Sequence, residues 1–211
     1  MFSFAIAVAG TFVFRTWKKP RLAKLLSRPS PSPNRDESAR LPMPEVLRPA
    51  KTACTLAGFT RSPLVIPEVR SSDTPGIIAE LSQSLHREGC IADWLPFYQT
   101  ALNRELELNS ALACGLAFPH ARLNGVRELQ FAVGRLPRAV PWTGRGSWPV
   151  RVVLLVSVPA TEAAVYLRLL ASIGRLAQRT DLLSNILRAP DVASILEALL
   201  QVPLDLSRRQ A

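Results

Sequence analysis

Apolar residues recur at helical spacing in five stretches of this chain, and three further stretches are extended and either apolar or alternating. The five predicted helices cover residues 71–89, 94–106, 163–178, 181–187 and 191–200. In the first, capping side chains precede Pro75 and Gly89 marks the end, while Asp93 is placed to cap the second. The predicted core stripe of the long helix consists of Leu167, Leu170, Ile173 and Leu176.

The three extended segments lie between the second and third helices. Residues 115–119 are mostly apolar, residues 128–135 alternate between polar and apolar, and residues 150–158 read as a strand buried on both faces. Residues 137–149 are predicted to form a loop whose tryptophans, Trp142 and Trp148, cover a core edge; a partner-docking surface is the alternative. Helices, then strands, then helices predict one layered α/β domain.

The first fifty residues differ in amino-acid composition from the rest of the chain. Residues 1–14 carry no charge, five Lys or Arg follow within residues 15–24, and residues 27–49 form a linker rich in Pro, Ser and Arg. The apolar run is shorter than the roughly twenty residues of a spanning helix, and its positive charge follows it instead of preceding it. Three interpretations stay open: weak membrane association through residues 1–25, a poor signal anchor, or a leader translated from an upstream start.

The predicted organisation is therefore an extension and linker over residues 1–50, a domain over residues 56–203 and a tail over residues 204–211. Of the net charge of +10, a net of +6 belongs to residues 1–50. No zinc-ligand spacing, RNA-binding motif or basic recognition helix accompanies this charge, so we do not expect nucleic acid as a partner.

The three cysteines are Cys54, Cys90 and Cys114, and their wide spacing favours neither a disulfide framework nor a metal site. An odd number of unpaired cysteines fits a reducing compartment, and we expect a cytoplasmic protein. No nucleotide-binding glycine loop occurs. The sequence therefore implies no metal and no organic cofactor.

The candidate chemistry centres on His120, one of only two histidines. Proline restricts the residue before it and cannot donate to a sheet ladder, so Phe118 and Pro119 predict the edge or end of a strand. A histidine there has a conformationally restricted backbone and an imidazole that is accessible to a reaction partner, which suits a nucleophile or proton carrier. A surface histidine beside a turn is the alternative. The other histidine, His86, is predicted to lie on a helix surface.

The stretch over residues 101–122 resembles the active-site signature of the type 2 enzyme IIA domain, the fructose, mannitol and nitrogen-regulatory family of the bacterial phosphotransferase system. The resemblance extends from residue 56 to residue 202 and implies a mixed central β-sheet flanked by helices on both faces. The residues that carry it are Arg104, Glu105, Ser110, Gly115, Leu116, Ala117, Phe118, Pro119, His120 and Ala121.

The resemblance also implies roles for these residues. His120 would accept a phosphoryl group, Arg104 would recognise its oxygens, and Ser110 would bind the phosphate or order the loop. There are two alternatives. Arg104 pairs with Glu105 or Glu107 instead, and Ser110 only caps a turn.

Two further residues extend this candidate site. Arg122, two residues beyond His120, is a second cation that an extended chain would point the same way. Tyr166 stands where many family members have a second histidine. Its hydroxyl can still hydrogen-bond an imidazole or a phosphoryl oxygen, but it brings no positive charge.

The implied activity is that of a phosphocarrier with a phosphohistidine intermediate. It would take phosphate from a phosphohistidine carrier protein of the HPr type and pass it to a IIB-type acceptor. In a second hypothesis, phosphorylation of His120 switches the affinity of a regulatory module for its target in nitrogen or ion regulation. A third is a membrane-attached scaffold that has lost the chemistry.

Overall fold

A computed structural model describes residues 55–142 and 148–204, all of which belong to one compact unit. The strands are β1 (Val65–Ile66), β2 (Leu116–Ala117), β3 (His120–Leu123), β4 (Gln130–Pro141) and β5 (Pro149–Pro159). The helices are α1 (Thr74–Arg87), α2 (Trp94–Glu107), α3 (Ala163–Gln178), α4 (Thr180–Arg188) and α5 (Val192–Leu200). Short 3-10 helices, Leu56–Phe59 and Ser62–Leu64, precede β1.

The capping residues begin their helices as the sequence predicts. The carboxylate oxygen of Asp73 accepts a hydrogen bond from the Gly76 amide at 2.9 Å, and that of Asp93 accepts one from the Leu95 amide at 3.1 Å. Gly89, just beyond α1, has a φ of +73°, the left-handed conformation that ends a helix at little cost for glycine.

The five strands form one mixed sheet in the order β1–β4–β5–β2, with β3 also paired to β5. The central pair β4 and β5 is antiparallel, whereas β1 runs parallel to β4 and both β2 and β3 run parallel to β5. The sequence did not predict β1, because a two-residue strand shows no periodicity.

Helices cover both faces of this sheet, which confirms the predicted architecture. Along β5, Leu154 and Val156 pack into the core beneath α3, α4 and α5, whereas Val153 and Leu155 pack into the core beneath α1 and α2. This alternation explains why a strand buried on both faces is apolar at nearly every position.

The apolar segment before His120 lies at the edge of the sheet, as predicted, but the strand resumes after the proline. Pro119 has no amide hydrogen, so the ladder is interrupted between β2 and β3. Its carbonyl still accepts a hydrogen bond from the Val156 amide at 2.9 Å, which keeps the chain alongside β5. His120 therefore begins a strand instead of following one.

The loop predicted over residues 137–149 is wrong in its first part, because β4 continues through Pro141. A register shift between Arg135 and Val140 lets the strand resume its pairing with Val150. Trp142 is fully buried, as the core-edge interpretation requires, whereas Trp148 is 47% exposed.

Two residues of the predicted α3 stripe lie outside the core, since Leu170 is only half-buried and Leu167 faces solvent. Leu167 is 63% exposed, whereas Leu169, Ile173 and Leu176 are buried. Leu167 precedes Leu169 by two residues, which places it about 200° away around the helix. The fully buried residues of α3 are therefore Leu169, Ile173 and Leu176, and the prediction for Leu167 was wrong.

The termini lie mostly outside the described residues. The apolar and basic segment, the linker and Cys54 belong to residues 1–54, and most of the predicted tail belongs to residues 205–211. Leu204 is buried and joins the core beneath α5. Among the residues described, no helix combines the length and apolarity needed to cross a membrane.

Candidate functional site

Two elements bring the principal candidates together. His120 opens β3 at the sheet edge, and Arg104 lies near the carboxyl end of α2. Nε of Arg104 donates a hydrogen bond to Nε2 of His120 at 2.7 Å. Because a guanidinium has only donors, Nε2 must be the acceptor, and the neutral ring carries its proton on Nδ1. The contact therefore selects the tautomer whose Nε2 lone pair is a nucleophile.

The surroundings of His120 favour its neutral form. Burial lowers the pKa of the half-buried imidazole, and the positive charge of Arg104 lowers it further. The backbone of Phe118 raises the pKa of His120 and so opposes these two effects. Nδ1 is buried, and within the described residues no partner meets hydrogen-bond geometry to it. A neutral ring is what nucleophilic attack on phosphorus requires.

Tyr166 flanks the imidazole from the first turn of α3. The centroids of the two rings lie 5.5 Å apart, with an angle of 41° between the ring planes. Burial raises the pKa of the Tyr166 hydroxyl, with a smaller opposing effect from the charge of Arg104. The phenol therefore stays neutral, and its ring lies against the imidazole.

Ser110 is buried, and its hydrogen bonds hold the chain in place. Its hydroxyl donates to Oε1 of Glu105 at 2.9 Å and accepts a hydrogen bond from the Phe118 amide at 3.0 Å. Its own amide donates to the same carboxylate oxygen at 2.7 Å. These contacts correspond to the loop-ordering alternative for Ser110.

Arg122 shares a face of β3 with His120, because side chains two residues apart in a strand point the same way. Its exposed guanidinium donates to the carbonyl of Ala160, just before α3. The structure therefore places Arg122 on the histidine side of the strand and attaches it to the chain that leads into α3.

Sequence reasoning missed the role of two residues beside the site. Glu105 was recognised only as part of the motif, yet it is 2% exposed and accepts a hydrogen bond from the Trp142 indole at 2.7 Å. Burial raises the pKa of its carboxyl, and the hydrogen bonds from Ser110 and Trp142 act against this. The spacing held a signal, because Phe97, Ala101 and Glu105 lie on one helix face and the first two are core residues.

The remaining chemistry-bearing residues lie elsewhere. His86 is exposed on α1, as predicted, and Cys90 is buried whereas Cys114 is exposed. Across residues 55–142 and 148–204, no group of three or more His, Cys, Asp or Glu side chains is placed to hold a metal ion.

A comparison with known families identifies this arrangement. The sequence profile of the family described as "Phosphoenolpyruvate-dependent sugar phosphotransferase system, EIIA 2" matches residues 59–202, more than half of the chain. The chain belongs to this family. The matched residues of this enzyme IIA domain run from the end of the first 3-10 helix to two residues beyond α5 and include Arg104 and His120.

Two curated relatives illustrate the breadth of the enzyme IIA family. The "PTS system fructose-specific EIIABC component" of Bacillus subtilis is 25% identical over 135 residues, which cover 63% of this chain and 21% of that protein. The "Nitrogen regulatory protein" of Pseudomonas aeruginosa is 25% identical over 134 residues, which cover 64% of this chain and 84% of that protein. The chain thus spans about a fifth of the first relative.

Solved structures share the fold. Nitrogen regulatory protein IIA-Ntr from Neisseria meningitidis matches with a TM-score of 0.58 and 19% identity, covering 68% of this chain and 98% of that one. Enzyme IIAMTL in the Escherichia coli complex with phosphorylated enzyme IIBMTL matches with a TM-score of 0.57 and 14% identity, covering 66% of this chain and 97% of that one. At these identities the likeness concerns the fold.

Proposed function

We propose that this enzyme IIA domain is a phosphocarrier of the phosphoenolpyruvate-dependent sugar phosphotransferase system, with His120 as the phosphorylated residue. The observation that carries the proposal is the 2.7 Å contact in which Nε2 of His120 accepts a hydrogen bond from Arg104. It supplies a neutral nucleophile and a cation for phosphoryl oxygens at one place. Family membership supports the same chemistry.

The proposed step is an in-line transfer between two histidines. The Nε2 lone pair of His120 attacks phosphorus in the donor phosphohistidine, and the donor's phosphorus–nitrogen bond breaks with its electron pair returning to the donor ring. The proton on Nδ1 of His120 stays in place. Arg104 leaves Nε2 and donates to the phosphoryl oxygens, and the flanking Tyr166 ring keeps water away.

The proposed supporting roles follow the geometry. Ser110 holds the segment just before His120 through the Phe118 amide, and Arg122 adds positive potential on the same face of β3. The proposed partners are an HPr-like carrier protein as donor and a IIB-type acceptor, and the proposed location is the bacterial cytoplasm. The likeness of the fold to enzyme IIAMTL, solved with its IIB partner, supports an acceptor of that type.

A regulatory role is the second candidate, and a specific observation favours it. The matched segment covers 84% of a nitrogen regulatory protein but only 21% of the fructose-specific component. In this case phosphorylation of His120 would change the affinity of the domain for a regulatory target, because it adds negative charge to the surface beside Arg104.

The test is phosphate transfer from labelled phosphoenolpyruvate through the two general carrier proteins. We expect an acid-labile, alkali-stable label on the wild type, none on His120→Ala, and an undiminished label on the control His86→Ala, which changes the exposed histidine of α1. Absence of label from the wild type, or its persistence in His120→Ala, contradicts the proposal. Onward transfer to a IIB domain then separates the carrier role from the regulatory one.

A further inference from the structure

A buried hydrogen-bond network lies directly behind the two reacting side chains. Oε1 of Glu105 accepts three hydrogen bonds, from the amide and hydroxyl of Ser110 at 2.7 and 2.9 Å and from the indole of Trp142 at 2.7 Å. Glu105 is 2% exposed, and Trp142 is fully buried. A buried carboxylate is costly unless donors compensate it, and here three donors converge on one oxygen.

This network is connected to both halves of the site. Glu105 follows Arg104 on α2, so it holds the turn of helix from which the guanidinium projects. On the other side, the hydroxyl of Ser110 accepts a hydrogen bond from the Phe118 amide, two residues before His120. One carboxylate oxygen thus joins the end of α2, the residue after β4 and, through the Ser110 hydroxyl, the segment between β2 and β3 that leads to the histidine.

We infer that Glu105 is a positioning residue, which sets the Arg104–His120 separation through its hydrogen bonds to Ser110 and Trp142. The inference rests on the proposed function for its catalytic consequence, although the geometric claim stands apart from it. The phosphate-accepting group and its cation lie sixteen residues apart and on different elements. Their contact therefore depends on interactions that hold these two elements at a fixed distance. Misplacement of a reacting group by about 1 Å can cost about a hundredfold in rate.

The chain offers variants that remove one connection at a time. Ser110→Ala removes the hydroxyl between Glu105 and Phe118, and Trp142→Phe removes the indole donor while it keeps an aromatic ring. Glu105→Gln removes the charge and keeps the shape of the side chain. Glu107→Gln is the matched control, because Glu107 lies on the same helix with its side chain exposed.

The decisive readout is the state of the His120 imidazole, measured by NMR titration of its ring nitrogens. The chain has only two histidines, so the exposed His86 serves as an internal reference in the same spectra. In Ser110→Ala, Trp142→Phe and Glu105→Gln we expect a higher His120 pKa and a mixture of neutral tautomers, because Arg104 no longer holds Nε2. The rate of phosphoryl uptake should fall about 10- to 100-fold, with no change in Glu107→Gln.

A lower melting temperature with an unchanged His120 pKa, tautomer and uptake rate would show that the network is merely structural and would overturn the inference. If Glu105→Gln does not fold, Ser110→Ala and Trp142→Phe decide the question, since each leaves the carboxylate with other donors. If the wild type takes up no phosphate while the imidazole signals still change in the variants, the proposed function fails and the positioning role stands.

Discussion

Nε of Arg104 lies 2.7 Å from Nε2 of His120 and donates a hydrogen bond to the atom that would attack phosphorus. The lone pair that makes the imidazole a nucleophile is therefore engaged in the resting state. In the proposed transfer Arg104 has to release Nε2 before attack, and its side chain is exposed on the side open to solvent. In the proposed mechanism the same residue thus holds the tautomer with the lone pair on Nε2 at rest and supplies the cation during transfer.

Removal of this cation should change both the titration and the reactivity of His120. Because the charge of Arg104 lowers the pKa of the imidazole, Arg104→Ala should raise it, and the fall in phosphoryl uptake on acidification should begin at a higher pH than in the wild type. At neutral pH we expect an uptake rate about a hundredfold lower. NMR titration and rapid-quench labelling measure the two effects.

Arg104→Lys separates charge from geometry. A lysine keeps the positive charge but lacks the planar fork of the guanidinium. We therefore expect the His120 pKa to stay near its wild-type value and the uptake rate to remain below that of the wild type. A wild-type rate in Arg104→Ala would contradict the role proposed for this residue.

The contact between Tyr166 and His120 predicts that the ring matters more than the hydroxyl. Tyr166→Phe keeps the ring that lies against the imidazole, so we expect uptake within a few-fold of the wild type and far above that of His120→Ala. Tyr166→Ala exposes the imidazole and should raise its pKa, because burial is the largest cause of the lowered value. Equal losses in Tyr166→Phe and His120→Ala would instead make the hydroxyl central to transfer.

Gly115 should be intolerant of a side chain. Its φ is +83°, and an added Cβ would lie 3.4 Å from the carbonyl oxygen of Pro149. We expect Gly115→Ala to lower the free energy of unfolding by about 1–2 kcal/mol, measured by denaturant titration. Gly174→Ala is the control, since open space surrounds this position on α3, and it should stabilise the protein by up to about 1 kcal/mol. Equal stability of Gly115→Ala and the wild type would refute the assigned strain.

The two described cysteines should differ in reactivity. Burial raises the pKa of the Cys90 thiol to about 11, with the charge of Arg61 acting against it, whereas Cys114 is exposed. At pH 8 only about one Cys90 thiol in a thousand is ionised. In a Cys54→Ser background, alkylation followed by peptide mass spectrometry should modify Cys114 first and Cys90 only after unfolding. Early modification of Cys90 in folded protein would contradict its assigned burial.

Local signals account for much of the fold. Capping carboxylates at Asp73 and Asp93 and a terminal glycine at Gly89 act within a few residues of the chain, so the helices could be predicted close to their observed bounds. The strand over residues 150–158 was also recognisable, because a strand covered on both faces must be apolar throughout. Leu167 was misplaced because spacing alone does not say which side of α3 meets the sheet.

The candidate site, like the fold, was predicted in part from the sequence and settled in part only by the tertiary structure. The sequence by itself determined the candidate nucleophile His120 and its cation Arg104, because the stretch over residues 101–122 that contains both resembles the family's active-site signature. Only the tertiary structure decided that these side chains meet at 2.7 Å, and that Glu105 and Trp142, thirty-seven residues apart, share a hydrogen bond behind them. Such contacts depend on how α2 packs against the sheet edge, and that packing is a property of the whole core, which no local pattern encodes.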